Sequence, residues 1–228
     1  MTIKSMTLLL AAMLALVSLP LKAEPILVGD GESRILQEMF AAILKNADLD
    51  VSIESFPPER KRRLFEQGTI VIDCCAMPQW RTRPEEERVQ LWSVPFFTSH
   101  NRYIFSAERA VSIQDPADLA EYRVATVLGF KYELSPHFGE VLPVQNWDAM
   151  LQLVEKGRAD VGFIGDLVFQ ERQINQKRDL VMGPLVAKHP LSVRVHKSRA
   201  DLLPIINRSI AELIEKEVFL AIGGLGHQ

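Results

Sequence analysis

The sequence has no excess of positive charge, few cysteines and a single long apolar run. Its 228 residues carry 26 Lys and Arg against 29 Asp and Glu, a formal net charge of −3. A nucleic-acid-binding protein would show a basic domain or stripe, so the charge balance excludes nucleic acid as a partner. A transmembrane helix needs about 20 consecutive apolar residues, and no stretch after the N-terminal run is long enough.

The apolar run has the features of a secretory signal peptide. Lys4 precedes unbroken apolar residues from Leu8 to Val17, and Ala23 supplies a small residue at a cleavage site. A charged start, a short apolar core and a small residue at the cut are typical of such signals. We therefore predict that residues 1–23 are a signal peptide and that the mature, mildly acidic protein is periplasmic. An uncleaved N-terminal membrane anchor is the alternative.

The two cysteines, Cys74 and Cys75, are adjacent. Cα atoms joined by a trans peptide are about 3.8 Å apart, closer than the roughly 4.4–6.8 Å usual in a disulfide. This geometry favours two small, mostly buried thiols. A vicinal disulfide, favoured by an oxidising compartment, and a soft-metal site are the alternatives, although no histidine lies near the pair with ligand spacing.

The spacing of apolar residues, which make up 47% of the chain, predicts alternating strands and helices. The first part follows the order strand, helix, strand, helix, strand, the pattern of a parallel sheet with crossover helices. We expect strands at 26–28, 51–56 and from 70, a helix capped by Ser33 that runs to about 46, and a short helix at 59–67 whose charge run is typical of an exposed face.

A similar pattern starts again after a strand at 102–106. We expect strands at 124–127, 141–144, 161–164 and 191–195, a helix capped by Asn146, and a closing helix with Pro204 in its first turn. From this order we predict two lobes, the second inserted into the first. Residues 24–108 and 188–228 would form lobe 1, residues 109–187 would form lobe 2, and two crossings between them would make a hinge.

The stretch from Ile70 to Phe97 carries the features that indicate a binding site. A strand leads into a polar run with three guanidinium groups, those of Arg81, Arg83 and Arg88. Ligands of open α/β sheets bind outside the carboxyl ends of the strands, so this layout places cations at a sheet end. Glu85 to Glu87 lie among the arginines, and we expect one guanidinium in a cleft and the others paired with these acids.

Several short motifs, taken in order, resemble those of one protein family. They are Ser93-Val94-Pro95-Phe96-Phe97, Ile113 to Leu119, Val124 to Gly129, and Gly157-Arg158-Ala159-Asp160 followed by Asp166. Together they are similar to the bacterial extracellular solute-binding proteins of family 3, a class that includes periplasmic amino-acid-binding proteins. The resemblance covers about 26–222.

The resemblance implies a fold and a function. The fold is α/β, a two-lobed periplasmic-binding-protein-like (type II) clamshell in which each lobe is a mostly parallel sheet flanked by helices. A small polar solute, typically an amino acid, binds between the lobes, and hinge closure presents it to the permease of an ABC-type importer or to a membrane sensor such as a kinase or cyclase. The protein would act as a monomer, without a cofactor and without catalytic residues.

In this family an arginine of lobe 1 usually holds the α-carboxylate of the ligand, and an acid at the position of Asp166 usually holds its α-ammonium. The planar guanidinium matches a carboxylate with two parallel hydrogen bonds. Which arginine takes this role is open. Distance from Gly68, which leads the preceding strand, favours Arg83. Distance to Ser93-Val94-Pro95 favours Arg88, and position at the strand exit favours Arg81.

The predicted ligand-binding residues form two facing jaws. One jaw lies within the stretch from Ile70 to Phe97, and the other spans Thr126 to Tyr132 together with Asp166. The full set of predicted contacts is Asp30, Met77, Trp80, Arg81, Arg83, Arg88, Thr126, Gly129, Phe130, Lys131, Tyr132 and Asp166.

Two other functions compete with solute binding. A lyase similar to periplasmic cyclohexadienyl dehydratases would use the same cleft and would need a carboxyl group or histidine with a tuned pKa. Candidates for that role are Asp166, Glu133 and His137. A redox or metal-handling protein would instead depend on the adjacent cysteines.

Overall fold

The structure, a computed structural model, describes residues 26–29 and 33–224. The predicted signal peptide and the predicted contact residue Asp30 lie outside the described residues. The strands are β1 Ile26–Gly29, β2 Val51–Glu54, β3 Ile72–Ala76, β4 Gln90–Trp92, β5 Phe97–Ser106, β6 Arg123–Val127, β7 Glu140–Val144, β8 Gly162–Gly165 and β9 Leu180–His196. The α-helices are α1 Arg34–Asn46, α2 Pro58–Glu66, α3 Pro84–Val89, α4 Trp147–Glu155, α5 Asp166–Asn175, α6 Leu202–Glu215 and α7 Val218–Ile222. Short 3-10 helices lie at Pro78–Trp80, Pro116–Glu121, Ser135–His137 and Lys197–Arg199.

Two of the helices begin where a side chain satisfies one of their first backbone N–H groups. Ser33 Oγ accepts a hydrogen bond from the N–H of Leu36 at 3.3 Å, and Asn146 Oδ1 accepts one from the N–H of Ala149 at 2.9 Å. Both predicted caps are therefore confirmed. Helix α1 then buries the side chains of Met39, Phe40, Ile43 and Leu44. Within the described residues no helix combines the length and the apolar character needed to span a membrane.

A mixed sheet of seven strands organises the described part of the chain. Its order is β2-β1-β3-β9-β5-β8, with β4 also paired to β9. β1 is parallel to β2 and β3, whereas β9 is antiparallel to β3, β4 and β5. β6 and β7 form a separate parallel pair. Strand β9 has 17 residues, far more than the predicted strand at 191–195, because its first half pairs with β5 before its second half pairs with β3 and β4.

The apolar core is divided into three clusters. The first contains residues of α1, β3, the second half of β9 and α6, among them Phe40 and Val193. The second and third contain residues of β5, β6, α4 and β8, among them Met150 and Phe163. Residues 103–105 of β5 belong to the second and third clusters, although the predicted bounds assign them to lobe 1. The two-lobe division with those bounds stays a prediction.

The expectation of two free thiols at Cys74 and Cys75 is wrong, because the two residues are joined by a disulfide. Their peptide bond is cis and their Cα atoms are 3.0 Å apart, so the trans geometry assumed from the sequence does not apply. Both sulfurs are bonded to each other and are not thiolate ligands for a metal. Among the described residues no group of three or more His, Cys, Asp or Glu is arranged to hold a metal ion.

Candidate functional site

A cleft of about 1050 Å³, its open mouth included, lies at the carboxyl end of β3. The first predicted jaw contributes Trp80 and Arg81 to its walls, and the second contributes Phe130, Lys131 and Tyr132. A further wall, which was not predicted, comes from β5 and β9 where these strands pair. A concave, largely apolar site with a few converging polar groups is the usual form of a small-molecule site, so this cleft is the candidate ligand site.

Arg81 is the member of the arginine trio that lines this cleft. It directly follows the 3-10 helix Pro78–Trp80, and only 5% of the residue is exposed. Its Nη1 donates to the carbonyl of Trp80 at 3.3 Å, and its own carbonyl accepts a hydrogen bond from Gln90 Nε2 at 2.8 Å. Its Nε lies 4.0 Å from Glu86 Oε1 and has no hydrogen-bond partner among the described residues. Burial lowers the pKa of the guanidinium, while the charge of Asp73 acts in the opposite direction.

Arg83 and Arg88 lie outside this cleft. Arg83 Nη2 donates to both carboxylate oxygens of Glu59, at 2.9 and 3.0 Å. Burial acts to lower the pKa of Arg83, but this hydrogen bond and the charge of Glu59 outweigh it and raise the pKa above its usual value. Arg88 is exposed. The expected pairing with Glu85 to Glu87 is therefore wrong for Arg83, because its side chain extends toward α2.

A cluster of buried charges lies behind Arg81. Arg194 Nη2 donates to Asp73 Oδ2 at 2.7 Å, and Lys61 Nζ lies 3.2 Å from Asp73 Oδ1. Arg194 Nη1 also donates to Glu86 Oε1 at 2.9 Å, and Arg62 forms a close ion pair with Glu86. Burial acts to raise the pKa of Asp73, but the charges of Lys61 and Arg194 outweigh it and hold that pKa below its usual range.

This cluster contains more cations than carboxylates. Every member is at most 7% exposed, and the members among the described residues are Lys61, Arg62, Arg81, Arg194, Asp73 and Glu86. An uncompensated buried charge is costly, so an anion in the cleft would be favoured. The prediction of an exposed charge run on α2 is wrong for Lys61 and Arg62, because Asp73 and Glu86, which lie outside α2, pair with them in the interior. Arg62 also lies 3.6 Å from Glu59 of the same helix.

The second jaw begins with a left-handed turn after β6. Gly129 has a φ of +85°, a backbone conformation that glycine adopts without steric cost. Lys131 Nζ then reaches across the cleft and donates to the carbonyl of Gln79 at 3.0 Å. The ring of Phe130 stacks on that of Trp147 with centroids 4.9 Å apart. The jaw therefore presents one cation and several aromatic surfaces to the cleft.

The remaining predicted contacts lie at or beyond the margin of the cleft. Asp166 is the first residue of α5; its Oδ1 accepts a hydrogen bond from the N–H of Leu167 at 2.8 Å, and its Oδ2 lies 3.5 Å from His100 Nδ1. Met77 is buried and does not line the cleft. Thr126, Gly129 and Arg83 line a more open depression next to it. The ligand-binding roles of all these residues stay predictions.

His189 was missed by the sequence reasoning, although it lines the cleft. The residue is 6% exposed, and its ring meets that of Trp80 edge to face with centroids 4.8 Å apart. Its Nε2 lies 3.4 Å from Glu133 Oε1. Burial lowers the pKa of the imidazole, and the charge of Glu133 acts in the opposite direction. No short motif surrounds this histidine, so only its place on a strand could have drawn attention to it.

The residues named for a lyase do not come together in the cleft. Glu133 lines it, but Asp166 and His137 do not. His137 is exposed on the 3-10 helix Ser135–His137. Only Glu133 is therefore placed to contact a substrate bound in the cleft, and neither of the other two groups lies there with it.

The chain has the type II periplasmic-binding-protein-like α/β fold, as predicted. Its main sheet, flanked by helices, is mixed, whereas mostly parallel sheets were expected. Solved structures of this fold superpose on most of its length at low sequence identity. No family model matches the chain, and no curated protein matches it.

Three of these solved structures illustrate the range of proteins that share the fold. The GluR0 ligand-binding core in complex with L-glutamate has a TM-score of 0.74 at 14% identity, over 89% of this chain and 98% of that one. AbpA from Streptococcus pneumoniae, an amino acid ABC transporter substrate-binding protein bound to L-arginine, has a TM-score of 0.72 at 14% identity, over 88% and 92% of the two chains. A histidine kinase sensor domain with similarity to periplasmic binding proteins has a TM-score of 0.72 at 15% identity, over 87% and 94%.

Proposed function

We propose that the protein is an exported solute-binding protein that captures a small polar solute in the cleft described above. The observation that carries the proposal is the burial and incomplete hydrogen bonding of Arg81 in the cleft. This guanidinium is buried and lines the cleft, and among the described residues its Nε has no hydrogen-bond partner, with Glu86 at 4.0 Å. An arginine in this state is suited to a carboxylate, which accepts hydrogen bonds from the guanidinium and offsets its charge.

The charge cluster behind Arg81 supports the same role. Within this cluster two buried carboxylates face four buried cations, and the partly exposed Glu59 lies 3.6 Å from Arg62, so an anionic group of the ligand improves the local charge balance. Lys131 adds a further cation from the opposite jaw. Trp80, Phe130 and Tyr132 supply apolar surface for the rest of the solute. Amino acids therefore belong in the first panel of ligands, together with small organic acids.

The proposed mode of action is closure of two lobes over the solute, a motion that this fold supports. Residues 24–108 and 188–228 would move as lobe 1 and residues 109–187 as lobe 2, closing over the bound solute about two hinge segments. The similar structures include a substrate-binding protein of an ABC transporter and a sensor domain of a histidine kinase. The proposed partner is accordingly a membrane permease or sensor that recognises the closed form, and the proposed location is the periplasm.

A thermal unfolding screen tests the proposal. A ligand that binds the folded state raises the melting temperature by mass action, with a stabilisation of about 2.7 kcal/mol at one hundred times its Kd. The screen should contain the amino acids, their des-amino acids and short dicarboxylic acids. Native mass spectrometry of freshly purified protein would reveal a solute that co-purifies. If no compound shifts the unfolding transition and no solute co-purifies, the proposal fails.

A further inference from the structure

We propose that His189 and the indole N–H of Trp80 form a second polar subsite in the cleft, which takes a second acidic group of the ligand. The ligand class is then a small dicarboxylate with a short apolar spacer. One carboxylate would bind Arg81, and the other would bind the second subsite. This inference rests on the proposed function and narrows it.

The first support is a group of buried polar atoms that lack partners. In the described part of the chain, Trp80 Nε1, Arg81 Nε and both ring nitrogens of His189 have no hydrogen bond. Buried polar atoms are nearly always hydrogen-bonded in native proteins. Arg81 Nε faces Glu86 at 4.0 Å, whereas the nitrogens of Trp80 and His189 belong to side chains that line the cleft, so these three nitrogens are the ones left for a ligand. The indole and guanidinium groups are donors only, and a neutral imidazole offers one donor. The missing partner is therefore rich in acceptors.

The second support is the arrangement of these groups along one wall. Arg81 follows Trp80 in the chain, and its Nη1 donates a hydrogen bond to the Trp80 carbonyl. The indole of Trp80 in turn contacts the imidazole of His189, edge to face at 4.8 Å. His189 is held in place by β9, where it pairs with Ser99 of β5. Arg81, Trp80 and His189 are therefore neighbours along one wall of the cleft.

The third support is a carboxylate that already lies beside the imidazole. Glu133 Oε1 is 3.4 Å from His189 Nε2, without the geometry of a hydrogen bond. The side chain of Glu133 is 50% exposed, so it is free to move toward solvent. We interpret Glu133 as occupying the position that a ligand carboxylate takes on binding, which makes it a competitor for His189.

The surface next to these groups is suited to the spacer. Leu36, Cys75 of the disulfide and Leu191 line the same cleft and offer apolar surface. A chain of a few methylene groups would pack there while both carboxylates reach their donors. A monocarboxylate of the same length would leave the second subsite without a partner.

Two matched pairs of ligands test the inference by calorimetric titration of the mature protein. Glutarate is compared with pentanoate, and L-glutamate with L-norvaline, so that each pair differs by one terminal carboxylate. At least one dicarboxylate should bind roughly tenfold or more tightly than its partner, the factor expected for one charge-assisted hydrogen bond. Equal affinity within both pairs would overturn the inference.

Variants separate the role of His189 in binding from a merely structural role. His189→Leu should abolish the preference for the dicarboxylate and leave the affinity for the monocarboxylate within about threefold, whereas His189→Gln, which keeps a donor, should retain part of the preference. Glu133→Gln should strengthen dicarboxylate binding by removing the competing charge. His137→Leu, at an exposed position outside the cleft, is the matched control and should change nothing. An equal loss for both ligands of a pair in His189→Leu would contradict the proposal.

The failure of this inference is distinct from the failure of the proposed function. If none of the four acids binds but another solute from the screen does, the second subsite is wrong and the solute-binding function stands. If no solute binds at all, both are wrong.

Discussion

The carboxylate of Glu171 caps the helix that begins at Arg34. Its Oε1 accepts a hydrogen bond from the backbone N–H of Arg34 at 3.2 Å, and its Oε2 lies 3.4 Å from the N–H of Ile35 as a second acceptor. Glu171 lies on α5 and is 6% exposed. A carboxylate at a helix N-terminus is favoured by the helix dipole. The contact therefore connects α1, which packs in the first apolar cluster, to α5, the helix that follows β8.

Removal of this cap should loosen the start of α1. We expect Glu171→Ala to lower the free energy of unfolding by about 1–2 kcal/mol, the range for losing a helix cap. Urea denaturation measures this change, and hydrogen exchange of the Arg34 and Ile35 amides should accelerate. Glu108→Ala, in an exposed turn, is the control and should stay within about 0.5 kcal/mol of the parent. Equal behaviour of the two variants would show that the cap contributes nothing.

The same substitution should destabilise the protein far more at Arg194 than at Arg81. Arg194→Gln breaks a fully buried pair with Asp73 and should cost about 3–5 kcal/mol. Arg81→Gln removes a cation from a cluster that has more cations than carboxylates, so the ligand-free protein should lose less than about 1 kcal/mol. Denaturant unfolding of the two variants tests this contrast.

The Arg81 substitution should have a small effect on the stability of the ligand-free protein but a large effect on ligand binding. Arg81→Gln should abolish the ligand-induced rise in melting temperature, because the carboxylate loses its guanidinium partner. Arg88→Gln, at an exposed position, should keep the full rise. Retention of the rise in Arg81→Gln would remove the observation on which the proposed function rests.

The stability of the protein should depend on Asp73 at low pH. The folded-state pKa of Asp73 is lowered by Lys61 and Arg194, against the effect of burial, whereas an unfolded Asp titrates near about 3.9. A lowered pKa means that the carboxylate stabilises the fold above about pH 4, and that this contribution is lost as the pH falls through the folded-state value.

The variant Asp73→Asn isolates this contribution. It should be less stable than the parent at neutral pH by about 3–5 kcal/mol, because two buried cations lose a charged partner. The difference between parent and variant should narrow as the pH falls below about 4. Urea unfolding over a series of acidic pH values measures it. A difference that stays constant with pH would mean that the charge of Asp73 is not the cause.

Gly129 should be intolerant of a side chain. Its φ of +85° lies in the left-handed region, and a Cβ there would come within 3.1 Å of Pro58 Cβ. We expect Gly129→Ala to cost about 1–2 kcal/mol through the backbone conformation, with an additional cost from the contact. Gly224→Ala, at a φ of +70° with nothing within 4 Å of the added Cβ, is the control for strain without contact. If both variants unfold alike, the contact with α2 is unimportant.

Local signals predicted much of the fold. Ser33 and Asn146 cap helices as expected, because an N-cap needs only a short polar side chain and the next three backbone N–H groups. Helix α3 was missed, since its proline and glutamates resembled a polar loop. Pro84 occupies the first turn and Glu85 to Glu87 follow it, an arrangement that suits a helix start once packing supports so short a helix.

The site was predictable only in outline. The sequence places Trp80 and Arg81 at the exit of a strand and Phe130 to Tyr132 after another, and these residues do meet at one cleft. Lys61 and His189 were not expected there. A charge run on a helix and a lone histidine on a strand carry no spacing signal, because their partners lie far away in sequence.

The sequence by itself determined the alternation of strands and helices, the helix caps and the presence of several arginines after β3, because these features depend on residues close in the chain. The tertiary structure alone decided which arginine is buried in the cleft. Glu59 of α2 pairs with Arg83, while Glu86 lies inward beside Arg62 and Arg194. The charge and burial of Arg81 are set by such distant partners, and no local pattern encodes them.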